Sequence, residues 1–189
     1  MAERASELTK RLVALLATHS LRRGSFVLAS GGKSSYYIDA RLTTMRPDGL
    51  TCIGQLALLE FADLAWRPDA VGGMTMGADP IAYSIAYASA ASPNAIRAFT
   101  VRKEPKAHGM QQLVEGPVTP ADTVVIVEDV LTTGGSALRA TRAVQALGAR
   151  IVGVLAVVDR EEGGSAALAQ AGLQVRSLTK VSDILSHSS

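Results

Sequence analysis

The sequence predicts an α/β protein, a mostly parallel sheet flanked by helices, with a small hairpin near its N-terminus. Three observations carry that prediction. From Ala70 onward, short apolar runs alternate with stretches of helical periodicity, the pattern of a parallel sheet joined by crossover helices. Polar residues follow four of the expected strands, where open parallel sheets place their ligands. Residues 124–136 read as an apolar strand, two acids, a loop of Thr, Gly and Ser, and the opening of a helix.

Leu8, Leu12, Leu15 and Leu16 recur at helical spacing, so the first helix is expected over about residues 5–19. Residues 26–29 read as a strand, 30–33 as a turn and 35–40 as a second strand, together a hairpin. Pro47 opens a helix that runs through Ile53, Leu56, Leu59 and Leu64, since proline's missing N–H costs nothing at a first helical position. Further strands are expected at 70–73, 95–101, 123–127, 151–158 and 173–178, and further helices at 80–90, 136–147, 165–171 and 181–185. Residues 103–120 are polar, broken by Pro and Gly, and without apolar periodicity. In a compact domain such a stretch is either a functional loop or a β-excursion.

Composition sets the limits. The 189 residues suit one domain with a substantial core, and 48% hydrophobic against 19% charged residues makes it globular. A net charge of +2 gives no ground for a nucleic-acid or membrane partner. No apolar run approaches the ~20 residues that span a bilayer. Glu3, Arg4, Glu7 and Lys10 do not form a signal peptide, so a cytoplasmic location is expected. Cys52 is the single cysteine and sits on an apolar helix face, which reads as a buried, inert thiol. No His/Cys/Asp spacing suggests a fixed zinc site.

The chemistry lies at the strand ends. After Val127 come Glu128 and Asp129, then Thr132, Thr133, Gly134, Gly135 and Ser136 ahead of a helix. Backbone N–H groups of such a loop, with the helix dipole behind them, attract a phosphate, and the acids accept hydrogen bonds from sugar hydroxyls. After Val101 come Arg102, Lys103, Lys106 and His108, three cations and a histidine suited to a departing anion. After Val71 comes the turn containing Met76 and Gly77, and after Val158 comes Arg160. Tyr36 and Tyr37 offer flat apolar faces in the N-terminal hairpin.

The segment Val124-Val125-Ile126-Val127-Glu128-Asp129-Val130-Leu131-Thr132-Thr133-Gly134-Gly135-Ser136 resembles the phosphoribosyl pyrophosphate (PRPP) motif of type I phosphoribosyltransferases. Arg102-Lys103-Glu104-Pro105-Lys106-Ala107-His108-Gly109 is similar to the catalytic loop of the orotate phosphoribosyltransferase family, and the stretch around Tyr36 and Tyr37 resembles that family's hood. The resemblance runs in motif order from about Phe26 to Gly164. It implies the type I phosphoribosyltransferase fold, with a hood of about residues 1–45 plus the C-terminal segment and a core of about 46–165.

It also implies transfer of the phosphoribosyl group of PRPP to orotate, giving orotidine 5′-monophosphate and pyrophosphate in pyrimidine synthesis. By resemblance, Glu128 and Asp129 hold the ribose hydroxyls, 132–136 cradle the 5-phosphate, and Met76 and Gly77 meet pyrophosphate through backbone. Arg102, Lys103, Lys106 and His108 face pyrophosphate across a homodimer, with Lys103, Lys106, His108 and Asp129 in the catalytic roles. Tyr36, Tyr37, Thr132 and Arg160 take orotate. Mg²⁺ is implied, held mainly through substrate and water rather than by protein ligands. Two departures stand out. Ala29 occupies a position where many bacterial members carry a lysine, with Lys33 four residues on, and the turn of Met76, Gly77 and Ala78 lacks another.

Overall fold

The computed structural model describes residues 2–27, 32–104 and 113–187. It opens with α1 (Ala2–His19), which buries Leu8, Leu12, Val13 and Leu16 along one face. An antiparallel ribbon follows, β1 (Leu21–Val27) paired with β2 (Lys33–Ile38). Of the expected strand at 26–29, Phe26 and Val27 end β1, and the other two residues lie outside the described ones. The earlier residues Leu21, Arg22 and Arg23 pair with Ile38, Tyr37 and Tyr36, and the exposure of both arginines hides the strand from a search for apolar alternation. The single turn α2 (Arg41–Thr44) was not expected. It is followed by α3 (Pro47–Asp63), which begins on Pro47 as proposed.

The remaining elements are β3 (Ala70–Met74), α4 (Ala78–Ser89), β4 (Arg97–Val101), β5 (Val114–Glu115), β6 (Thr123–Leu131), α5 (Gly135–Leu147), β7 (Arg150–Asp159), α6 (Gly164–Gln170), β8 (Val175–Lys180) and α7 (Val181–His187). They build a six-stranded sheet in the order β5-β4-β3-β6-β7-β8. Every pairing is parallel except that of β5 with β4. The stretch 103–120 therefore contains a short β-excursion. The chain winds outward from β3 through β4, then returns to β6 on the other side of β3 and winds the opposite way. The switch point between β3 and β6 is where such sheets bind ligands.

Two cores lie on the two faces of the sheet. Val125 and Val127 pack with α1, α3, α4 and α7, whereas Val124 and Ile126 pack with α5 and α6. This strict alternation makes β6 the centre of the molecule. It slips after Val127: Val130 packs with the first cluster and Leu131 with the second. Here the structure corrects the expected strand end, because β6 runs on to Leu131 and holds Glu128 and Asp129 inside it, where the alternation slips. Cys52 is buried and free, and burial raises its thiol pKa.

Candidate active site

Beyond Leu131 the chain turns through Gly134 at φ +83°, a left-handed conformation that glycine adopts without strain, and enters α5. No side chain caps this helix, so its first N–H groups are not taken up by a capping oxygen. Ser136 is therefore inside the helix and is not its cap. The loop lines a cavity of about 320 Å³ with Glu128, Val130, Leu131 and Arg139. Loop amides and the positive end of a 13-residue helix give this cavity the chemistry that suits an anion. Arg139, one turn into α5, is the cation that sequence reading missed. Its spacing of three from Ser136 was the available signal.

Glu128 is only 8% exposed, and its Oε2 is buried without a hydrogen-bond partner. Burial, reinforced by the neighbouring charge of Asp129, pushes its pKa up to about 8, with Arg139 pulling against that rise. In the free protein at neutral pH this acid carries its proton.

Asp129 faces the other turn. A Cβ on Gly77 would come within 2.5 Å of Asp129 Oδ1, so a larger residue in the turn after β3 would have to displace this carboxylate or the turn itself. That turn contains a cis Thr75–Met76 peptide, and Met76 is 59% exposed. Thr75 N–H donates to Val101 O at 2.9 Å, tying the turn to β4. Arg102 and Lys103 follow β4 directly and line a cavity of about 1060 Å³ with Thr75, Asp79 and Thr100. Lys106, His108 and Ala29 lie outside the described residues.

The ribbon and the end of β7 supply the third part. The Arg160 guanidinium stands 5.3 Å from the centroid of the Tyr36 ring. Its side chain is 10% exposed, Nη2 bonds Glu162 at 2.8 Å, and Nε is buried without a partner. Asp159 fixes the segment from below, accepting from Glu161 N–H and Ser165 Oγ. Tyr37 does not share this face. Strand alternation turns it to the opposite side, where it packs on Phe26 at 5.7 Å between centroids. Lys33 is exposed on the Tyr37 side of the ribbon.

Between ribbon and sheet sits a pair that sequence reading did not find. Arg41 Nε and Nη2 donate to the two carboxylate oxygens of Asp39 at 2.8 and 2.9 Å. The bond to Arg41 lowers the Asp39 pKa. The Arg41 pKa is raised, chiefly by that bond and further by the charge of Asp129. The sequence signal was an acid and an arginine two residues apart just past the tyrosines, a spacing too common to single out.

Comparisons with known proteins accord with this geometry. Residues 47–171 match the family described as phosphoribosyl transferase domain. An orotate phosphoribosyltransferase of Rhodopirellula baltica is 50% identical over 176 residues, covering 91% of each chain. One from Aquifex aeolicus is 45% identical, over 93% of this chain and 97% of the relative. The crystal structure of Mycobacterium tuberculosis H37Rv orotate phosphoribosyltransferase in complex with PRPP superposes with a TM-score of 0.79 at 38% identity, covering 94% of this chain and 98% of that one. The chain thus belongs to the phosphoribosyl transferase family and, within it, to the orotate phosphoribosyltransferases.

Proposed function

We propose that this enzyme binds PRPP across the β3–β6 switch point, binds orotate between the ribbon and Arg160, and joins N1 of orotate to C1 of the ribose with loss of pyrophosphate. The N-terminal 45 residues and the C-terminal segment act as the acceptor hood over a core of about 46–165. The loop 132–136 takes the 5-phosphate through backbone N–H groups. Glu128 and Asp129 accept the ribose hydroxyls, and the negative charge of Asp129 favours the cationic sugar that forms as the C1–O bond breaks. Met76 and Gly77 offer backbone N–H groups to pyrophosphate, and Arg102 and Lys103, with Lys106 and His108, neutralise it as it leaves.

The observation that carries the choice of orotate is Arg160. A nearly buried guanidinium with an unpartnered Nε, held over an aromatic ring at a strand end, suits a planar carboxylate that it can meet through paired hydrogen bonds. Tyr36 then supplies the flat wall with Thr132 beside it, and Tyr37 supports the ribbon from its other face.

The residues present fit a Mg²⁺ ion carried on the substrate. The carboxylate of Asp129 stands beside the turn whose amides would take the phosphates, oxygen chemistry that suits an ion held largely by phosphate and water. Bound there, Mg²⁺ would supply charge neutralisation to the leaving pyrophosphate.

A homodimer is part of this reading, with the 102–109 loop serving the neighbouring subunit. The apolar groove of Pro47, Leu50, Tyr83 and Tyr87, with Tyr87 86% exposed, supports a second copy seated on α3 and α4. Among the described residues no helix is long and apolar enough to cross a membrane. We place the enzyme in the cytoplasm.

The test is consumption of orotate, followed by its ultraviolet absorbance, with PRPP and Mg²⁺ present, against adenine and guanine as alternative acceptors. Orotate alone should be consumed. An Arg160→Lys variant should raise the orotate KM roughly tenfold, the loss of one charge-assisted bond of a pair, with the PRPP KM unchanged. Turnover of a purine, or an unchanged orotate KM in that variant, would reject the assignment.

A further inference from the structure

The turn after β3 carries no cation: from Gly72 to Tyr83 there is neither Lys nor Arg. Its grip on an anion depends on the direction of its amides, and that direction depends on what holds Thr75. Besides its backbone bond to Val101 O, Thr75 donates through Oγ1 to Asp79 Oδ2 at 2.7 Å. The other oxygen, Asp79 Oδ1, accepts from Thr100 Oγ1 at 2.6 Å, 21 residues away on β4. Both carboxylate oxygens are thereby engaged inside the protein. Asp79 sits in the first turn of α4, where a negative charge is favoured.

We propose that Asp79 is a positioning residue that straps the pyrophosphate-binding turn to the end of β4. It aims the N–H groups of Met76 and Gly77 and keeps the turn in register with Arg102 and Lys103, which leave the same strand end. The strap stands in for charge: an arm that cannot attract pyrophosphate by a lysine is instead held rigid, so that no ordering is required when the ligand arrives. This rests on the reading of the turn as the pyrophosphate site.

The experiment is calorimetric titration of the full-length protein with pyrophosphate plus Mg²⁺ and, separately, with ribose 5-phosphate. Asp79→Ala should weaken pyrophosphate roughly ten- to a hundredfold, the range for bonds to a charged group, and leave ribose 5-phosphate within about twofold. Thr100→Val keeps the β-branched shape and the turn's own bond to Asp79. It should lose pyrophosphate by roughly three- to tenfold, as for one neutral donor, and it serves should Asp79→Ala not fold. Asp79→Asn, which retains one acceptor, should recover part of the loss.

Unchanged pyrophosphate affinity in Asp79→Ala and Thr100→Val would overturn the strap. Equal weakening of both ligands would also overturn it, showing a general structural role. A wild-type protein that binds ribose 5-phosphate but no pyrophosphate would instead reject the turn as the pyrophosphate site.

Discussion

The two turns at the switch point, proposed above to take the two ends of PRPP, are held by opposite means. The loop between β6 and α5 is shaped by its own residues: a left-handed Gly134, a strand before it and a helix after it, all within 25 residues of Thr123. The turn between β3 and α4 is shaped from outside, by Val101 and Thr100 on a neighbouring strand and by the bulk of the Asp129 carboxylate. One turn carries its geometry in its local sequence, with a helix behind it. The other borrows its geometry from tertiary neighbours, so its binding strength is exposed to changes at a distance. The acids divide along the same line. Glu128 belongs to the local cavity, buried and proton-bearing, and Asp129 abuts the borrowed turn.

The comparison can be broken most forcefully at Glu128. Its folded-state pKa of about 8 lies above its ordinary value of 4.5, so its burial is unpenalised below pH 4.5 and stability is lost as pH rises toward 8. The free protein should therefore melt at progressively lower temperature from pH 5 to pH 8. Glu128→Gln, which mimics the protonated acid, should flatten that slope and stabilise the fold at pH 8 by on the order of a few kcal/mol. Thermal unfolding across this range, without ligands, is the measurement. A wild-type curve parallel to that of the variant would remove Glu128 as a buried proton carrier.

Next in size is Gly77→Ala. The added Cβ meets the Asp129 carboxylate, so either the turn or the acid must move. A displacement near 1 Å at a reacting centre costs about a hundredfold, and kcat/KM for PRPP should fall by that order with the melting temperature little changed. Gly134→Ala should have the smallest effect. It strains a left-handed residue and brings a Cβ to 3.2 Å from Leu168 Cγ and 3.3 Å from Gly164 O, contacts a shift of a few tenths of an ångström relieves. A loss of about 1–2 kcal/mol in stability is expected, read by urea unfolding, with the PRPP KM rising alongside. If Gly134→Ala damaged catalysis more than Gly77→Ala, the contrast between a self-shaped and a borrowed turn would be reversed.

That contrast also explains what could be read from the residues. The β6–α5 segment was legible because strand, acids, loop and helix are contiguous, and the parallel sheet followed from apolar runs at helical separation. The pairing of Tyr36 with Arg160 joins residues 124 positions apart, yet each was singled out, because a strand end and a resemblance pointed to both. The strap of Asp79 on Thr100 left no trace, since an acid near a helix start reads as an ordinary first-turn acid. The continuation of β6 through two charged residues was missed for a related reason: polar residues end a pattern in sequence, though a strand continues as long as its backbone finds partners, here Ala156 and Val158 on β7.

The end of the molecule proposed to take the acceptor joins elements from far apart in the sequence. Arg23 of the ribbon donates to Leu185 O on α7, Ser182 N–H donates to Glu161 Oε2 beside Arg160, and Ile184 shares a core with Leu8 and Leu12 of α1. Opening the clasp that these three contacts make would therefore cost the proposed base-selecting wall before it cost the proposed PRPP site, because residues 70–147 take part in none of them.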